Sequence, residues 1–167
     1  MDLYLLRHAI AEERGKATVT TDAERPLTTE GRKKLREIAA GMAREGCLPA
    51  VILASPYVRA RDTALLVAEV QGGGVEVVLS AALAPGAPPE RLLAELNQKH
   101  AAARVILLVG HEPDLGELVA SLITGRESAG IRIKKGGLAK LQVETPVTPG
   151  GATLEWLLTP RQLRARA

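Results

Sequence analysis

Apolar residues along this chain fall into two kinds of block. Short, nearly unbroken runs at Leu3–Leu6, Val51–Ala54, Val75–Leu79 and Val105–Val109 suit strands buried on both faces. Between the runs, apolar residues recur at helical spacing: Leu35, Ile38, Ala39 and Met42; Leu65 to Ala68 in a stretch opening at Val58; Leu92, Leu93 and Leu96; Leu118, Val119 and Leu122. The first of these helices has a threonine for its N-cap, Glu30 at the positive end of its dipole and Gly46 to stop it. Gln71-Gly72-Gly73-Gly74 ends the second, and no Lys-Ser or Lys-Thr follows to make it a phosphate loop. Two late runs, Leu138–Val143 and Thr153–Leu158, joined across Pro146, Pro149, Gly150 and Gly151, predict a hairpin.

Strand alternating with helix predicts an α/β domain in three αβα layers, with helices on both faces of a mostly parallel sheet. Val105–Val109, the most hydrophobic run, belongs near the sheet centre. Neither a repeat nor a linker divides the chain, so residues 1–167 read as a single domain. A chain of this length buries roughly 70% of the surface it exposes when unfolded, enough for one sizeable core.

Composition narrows the function. Aromatics are 2% of residues and phenylalanine is absent, which removes the stacking platforms of single-strand nucleic-acid binders. The formal charge of +3 is modest, and much of it sits at Arg161, Arg164 and Arg166, read as a solvated tail. Neither a nucleic-acid nor a membrane partner is therefore expected. The single Cys47 excludes an internal disulfide and a cysteine-based zinc site, and is expected as a half-buried structural thiol. Met1-Asp2 runs straight into a strand with no leader-like segment, so a cytoplasmic enzyme is expected.

The candidate chemistry lies where the strands end. Leu3–Leu6 opens into Arg7-His8, Val51–Ala54 into Ser55-Pro56 and then Arg59, and Val105–Val109 into Gly110-His111. Carboxyl ends of strands are where open α/β sheets hold ligands. If these side chains converge, Arg7 and Arg59 offer forked, permanently charged donors matched to phosphoryl oxygens. Their charge would depress the pKa of a nearby imidazole and leave a ring nitrogen free to attack phosphorus. His8 is the expected nucleophile, with His111 donating to the phosphoryl group and Arg59 near the first turn of its helix. Two histidines without a carboxylate cluster make a poor metal site, so neither metal nor cofactor is expected. Arg25, before Pro26, either braces the loop over the site or contacts substrate. His100 reads as a solvated helix end, and Lys134 and Lys135 either form an exposed turn or meet an acidic partner at the pocket mouth.

Arg7-His8-Ala9, Arg25-Pro26-Leu27-Thr28 with Gly31, Ser55-Pro56-Tyr57-Val58-Arg59-Ala60 with Thr63, Leu83-Ala84-Pro85 and Gly110-His111-Glu112-Pro113 occur in the order found in the histidine phosphatase superfamily. The chain resembles that superfamily, with its phosphoglycerate-mutase-like fold, and within it the SixA-type phosphohistidine phosphatases. The resemblance implies that His8 is phosphorylated, that Arg7, Arg59 and His111 bind phosphate, and that no metal is needed. Two departures stand out. The usual glycine after Arg-His is Ala9, which loses access to positive φ, and no acidic proton donor is assignable among Glu12, Asp62, Glu90, Glu112 and Asp114. An imidazole leaving group, titrating near ~6.5, tolerates a weak acid better than an alkoxide does. The expected substrate is accordingly phosphohistidine in a protein, such as a histidine phosphotransfer domain. A small phosphorylated metabolite, or phosphate binding without turnover, are the alternatives.

Overall fold

The computed structural model describes residues 1–13, 15, 21–126 and 130–167. Six strands form one sheet: β1 (Asp2–Arg7), β2 (Val51–Ala54), β3 (Glu76–Leu79), β4 (Val105–Gly110), β5 (Leu138–Val143) and β6 (Ala152–Leu158), in the order β3-β2-β4-β1-β5-β6. The first four pair in parallel, while β5 and β6 form the antiparallel hairpin on the far edge. β1 and β4 lie at the centre, as their unbroken hydrophobicity requires. β3 is the opposite edge, and its Leu79 is half exposed.

Alternate residues of the central strands face two separate apolar layers. Tyr4, Leu6, Ile52, Leu107 and Val109 pack against Leu35, Ile38, Ala39 and Met42 of α1 (Thr29–Arg44) and Ala60, Ala64 and Val67 of α2 (Val58–Val70). Leu3, Leu5, Leu53, Ile106 and Leu108 pack against Leu92 and Leu96 of α3 (Pro89–Lys99) and Leu115, Leu118, Val119 and Leu122 of α4 (Asp114–Thr124). Thr28 caps α1 by accepting from the Gly31 amide, and Gly125, at φ +71°, closes α4. Among the described residues, no helix is long and apolar enough to cross a membrane.

Three expectations need correction. The basic tail is not free: Thr159 and Gln162 form a reciprocal capping box that starts α5 (Pro160–Arg164), Leu163 is wholly buried, and Arg164 and Arg166 pair with Glu37 and Glu45 of the α1 region. Cys47 is fully rather than half buried, which pushes its thiol pKa up. The Nε2 of His100 is buried, without a partner among the described residues, rather than solvated, although the residue does cap α3.

The registers place the site. Arg7 lies opposite Gly110 and Ala54 opposite Val109, so β1, β2 and β4 end together. The ladder runs one step further on each side, through His8 N–H to Gly110 O at 3.1 Å and Ser55 N–H to Val109 O at 3.0 Å.

Candidate active site

His8, Ser55 and His111 leave three adjacent strands at one level, and their side chains meet. The His8 and His111 rings lie 5.2 Å apart between centroids, and His111 Nε2 is 2.8 Å from Ser55 Oγ. The edge of Tyr57 packs against His111. Arg59, in the first turn of α2, reaches back so that its Nε donates to His8 Nε2 at 3.2 Å. His8, Arg59 and His111 are all buried.

The protonation of His8 follows from its neighbours. Its Nδ1 is 2.8 Å from the Ala9 carbonyl, which can only accept, so Nδ1 carries the hydrogen and Nε2 keeps the lone pair toward Arg59. Burial lowers its pKa to about 3, with His111, Arg59 and Arg7 adding repulsion and the Ala9 bond opposing. Burial is also the largest cause that takes His111 down to about 4. The cations therefore act in the expected direction, but desolvation leads.

Ala9 adopts no positive φ, so the departure from glycine is accommodated without strain. Its amide donates to Thr63 Oγ1 at 3.1 Å, and the Thr63 hydroxyl donates to Arg59 O at 2.7 Å. One threonine thus ties the residue after His8 to the turn that carries Arg59.

Arg7 donates from Nη1 to Ile133 O at 3.0 Å and lies close enough to Arg59 for mutual repulsion. Of the three buried nitrogens with no partner among the described residues, two lie here: Arg7 Nε and His111 Nδ1. Buried polar atoms are rarely left unpaired, and these two belong to residues flanking His8. A tetrahedral anion has enough acceptors for both.

The residue that sequence reasoning missed is Asp22, in a 3-10 turn spanning Asp22–Glu24. Its carbonyl accepts from Arg59 Nη1 at 2.6 Å, its Oδ2 from Arg59 Nη2 at 3.0 Å, and its Oδ1 from Arg25 Nη1 at 2.9 Å. Arg25 Nε also donates to Glu12 O at 2.6 Å, so Arg25 braces the segment and reaches the site through Asp22. The only cue was an acid three residues before an arginine already singled out. The aperiodic polar stretch from Ala9 to Asp22, expected as the loop over the site, falls partly on Arg14 and residues 16–20, outside the described residues.

The acid candidates now separate. Asp62 is engaged by Arg32 and Arg61, Asp114 accepts from the Gly86 amide, and Glu90 is exposed. Glu112 accepts from Ile133 N–H at 2.8 Å, and burial raises its pKa. Beside His111 opens a groove of about 580 Å³, lined by Leu83, Pro88, Leu92, Leu118 and the acidic Glu90 and Asp114. Among the described residues, no three His, Cys, Asp or Glu side chains group as metal ligands.

The sequence profile of the histidine phosphatase superfamily (branch 1) matches residues 3–84. An uncharacterized protein of Picosynechococcus sp. strain PCC 7002 is 36% identical over 143 residues, 85% of each chain. The chain belongs to the histidine phosphatase superfamily.

Solved structures resemble this histidine phosphatase over nearly its full length. The protein histidine phosphatase SixA complexed with tungstate superposes with a TM-score of 0.84 at 24% identity, covering 98% of this chain and 99% of that one. A structure described as the phosphohistidine phosphatase SixA of Agrobacterium tumefaciens gives 0.75 at 26% identity over 95% and 97%. One described as the alpha-ribazole-5'-P phosphatase of Escherichia coli K-12 gives 0.69 at 20% identity over 96% and 98%. The phosphoglycerate-mutase-like fold is common to all three. The chain is an enzyme of a phosphatase superfamily whose members act on different phosphorylated substrates.

Proposed function

We propose that this histidine phosphatase removes phosphate from phosphohistidine in a protein, through a phospho-His8 intermediate. The observation carrying this reading is the pair of nitrogens without a partner among the described residues, Arg7 Nε and His111 Nδ1, beside an imidazole whose Nε2 lone pair is free of a proton. His8 Nε2 attacks phosphorus as the bond to the leaving imidazole breaks. Arg7 and Arg59 take the equatorial oxygens, and the Ser55 hydroxyl donates to His111 Nε2, leaving Nδ1–H as a donor. Water then attacks phospho-His8, inorganic phosphate leaves, and His8 returns neutral with Nδ1–H on the Ala9 carbonyl. Arg25 serves substrate indirectly, by holding Asp22.

Protein phosphohistidine as substrate is supported by the likeness to SixA and by the leaving group's own basicity, since Asp62 is already paired and Asp114 accepts from a loop amide. The second reading, a small phosphorylated metabolite, draws on the groove of about 580 Å³ beside His111.

The test uses p-nitrophenyl phosphate, a phosphorylated histidine phosphotransfer domain and a panel of phosphorylated metabolites, with EDTA present. Turnover is expected to survive EDTA and to fall by at least about 10³-fold in His8→Ala. The variant should also trap no acid-labile phosphate. Equal rates in wild type and variant would overturn the nucleophile, and loss of turnover in EDTA would overturn the metal-free route. A higher kcat/KM on a metabolite than on the phosphodomain would favour the second reading.

A further inference from the structure

A second cavity, of about 170 Å³, opens among residues of α1 and α5, whereas the groove opens among residues of α3 and α4, and the cavity's charged lining is entirely basic: Lys34, Lys135, Arg161 and Arg164, over a floor that includes Ile10 and Gly136. Lys34 is neutralised by Glu30 and Arg164 by Glu37, whereas the described residues place no ion pair on Lys135 or Arg161. Both of those cations are exposed. The cluster comes from three separate segments. α1 supplies Lys34, the turn before β5 supplies Lys135, and α5 supplies Arg161 and Arg164.

The cavity is tied to the reaction centre. Ile10 is two residues from His8, which limits their Cα separation to about 7 Å. Gly136 N–H bonds the Arg7 carbonyl at 3.0 Å. A protein partner that delivers a phosphoryl group to His8 with a typical footprint of about 800 Å² is large enough to reach a cavity whose lining begins two residues away. The groove carries the opposite sign, through Glu90, Asp114 and Glu117. The two openings therefore carry opposite charge, a contrast of the kind that orients a docking partner.

We infer that the cavity formed by Lys34, Lys135, Arg161 and Arg164 is a docking subsite for acidic side chains of the phosphorylated protein substrate. The inference rests on the phosphoprotein reading and names the surface chemistry of the partner. That partner carries carboxylates on one side of its phosphohistidine and none on the side that meets Glu90 and Asp114.

The test compares wild type with Lys135→Glu/Arg161→Glu on a phosphorylated histidine phosphotransfer domain and on p-nitrophenyl phosphate, with thermal melts confirming that the variant is folded. On the phosphodomain, kcat/KM is expected to fall roughly tenfold or more, carried by KM and with a flatter salt dependence. On p-nitrophenyl phosphate it should stay within about twofold, since no side chain of the reaction centre is altered. Equal loss on both substrates, or no loss on the phosphodomain, overturns the subsite. Should wild type hydrolyse p-nitrophenyl phosphate but no phosphodomain, the phosphoprotein reading fails, and a fluorescent Glu-rich peptide then decides the subsite separately. Binding to wild type that is lost in the variant supports it, and absence of binding to wild type overturns it.

Discussion

His8 stays neutral because its ring is buried, and the bond from Nδ1 to the Ala9 carbonyl, which favours the charged form, does not outweigh that burial. Nitrogen-15 NMR of the histidine side chains should show the Nδ1–H tautomer at His8 and no titration between about pH 8 and 5; a midpoint near ~6.5 would refute this. The same shift bears on stability. The unfolded chain takes up a proton as pH falls through ~6.5, and the folded protein does so only near about 3, so stability declines as pH drops across that interval. Urea melts at pH 7 and pH 5 should show a smaller loss in His8→Asn than in wild type. Asp22 presents a different balance, because its carboxylate bridges Arg59 and Arg25 and competes with any anion for the same guanidinium. Asp22→Asn keeps an acceptor for Arg59 and removes the charge, so inorganic phosphate is expected to inhibit about fivefold more strongly. An unchanged inhibition constant would show that the carboxylate does not oppose phosphate. Arg7, His8, Arg59 and His111 were legible because each ends a buried run or opens the next helix. Asp22 was not, because a short polar turn has no periodicity to mark which side chain points inward.

At the scale of elements, helix α1 touches backbone at both ends through glycine. A Cβ on Gly31 would lie 2.2 Å from Ile10 O, and one on Gly41 2.0 Å from Leu163 O. Alanine favours a helix by about 1 kcal/mol over glycine, but overpacking against a fixed carbonyl costs about 1–3 kcal/mol. Gly41→Ala should therefore lower Tm by several degrees, measured by calorimetry, with turnover at low temperature retained. A raised Tm would mean that α5 is loosely held. The strand bounds could be read from the apolar runs to within a residue, and the four longer helices could be placed by apolar spacing. Helix α5 could not, since its five residues bury one apolar side chain, Leu163, and its signal lies in the Thr159–Gln162 capping pair. Charge at the chain end invited a reading as a solvated tail; Arg161 and Arg166 are exposed, but Leu163 packs the segment against α1.

For the whole molecule, the two apolar layers lie on the two faces of the sheet, and the residues proposed for chemistry lie at or follow the carboxyl ends of β1, β2 and β4. Cys47, wholly buried, is a probe of the layer beneath α1. Its reaction with a thiol reagent is expected to follow the same denaturant midpoint as loss of activity, and labelling well below that midpoint would reveal separate opening of this layer. Fold class was accessible from alternation of runs alone, whereas the charge contrast between the two openings needed coordinates. Lys34, Lys135 and Arg161 are far apart in sequence and meet only when α5 folds back. The alignment of Arg7 with Gly110 has a practical meaning for engineering. A single residue inserted or deleted within either central strand would turn one imidazole to the opposite face of the sheet, so grafts and length changes are tolerable only in the connections beyond Ala9 and Glu112.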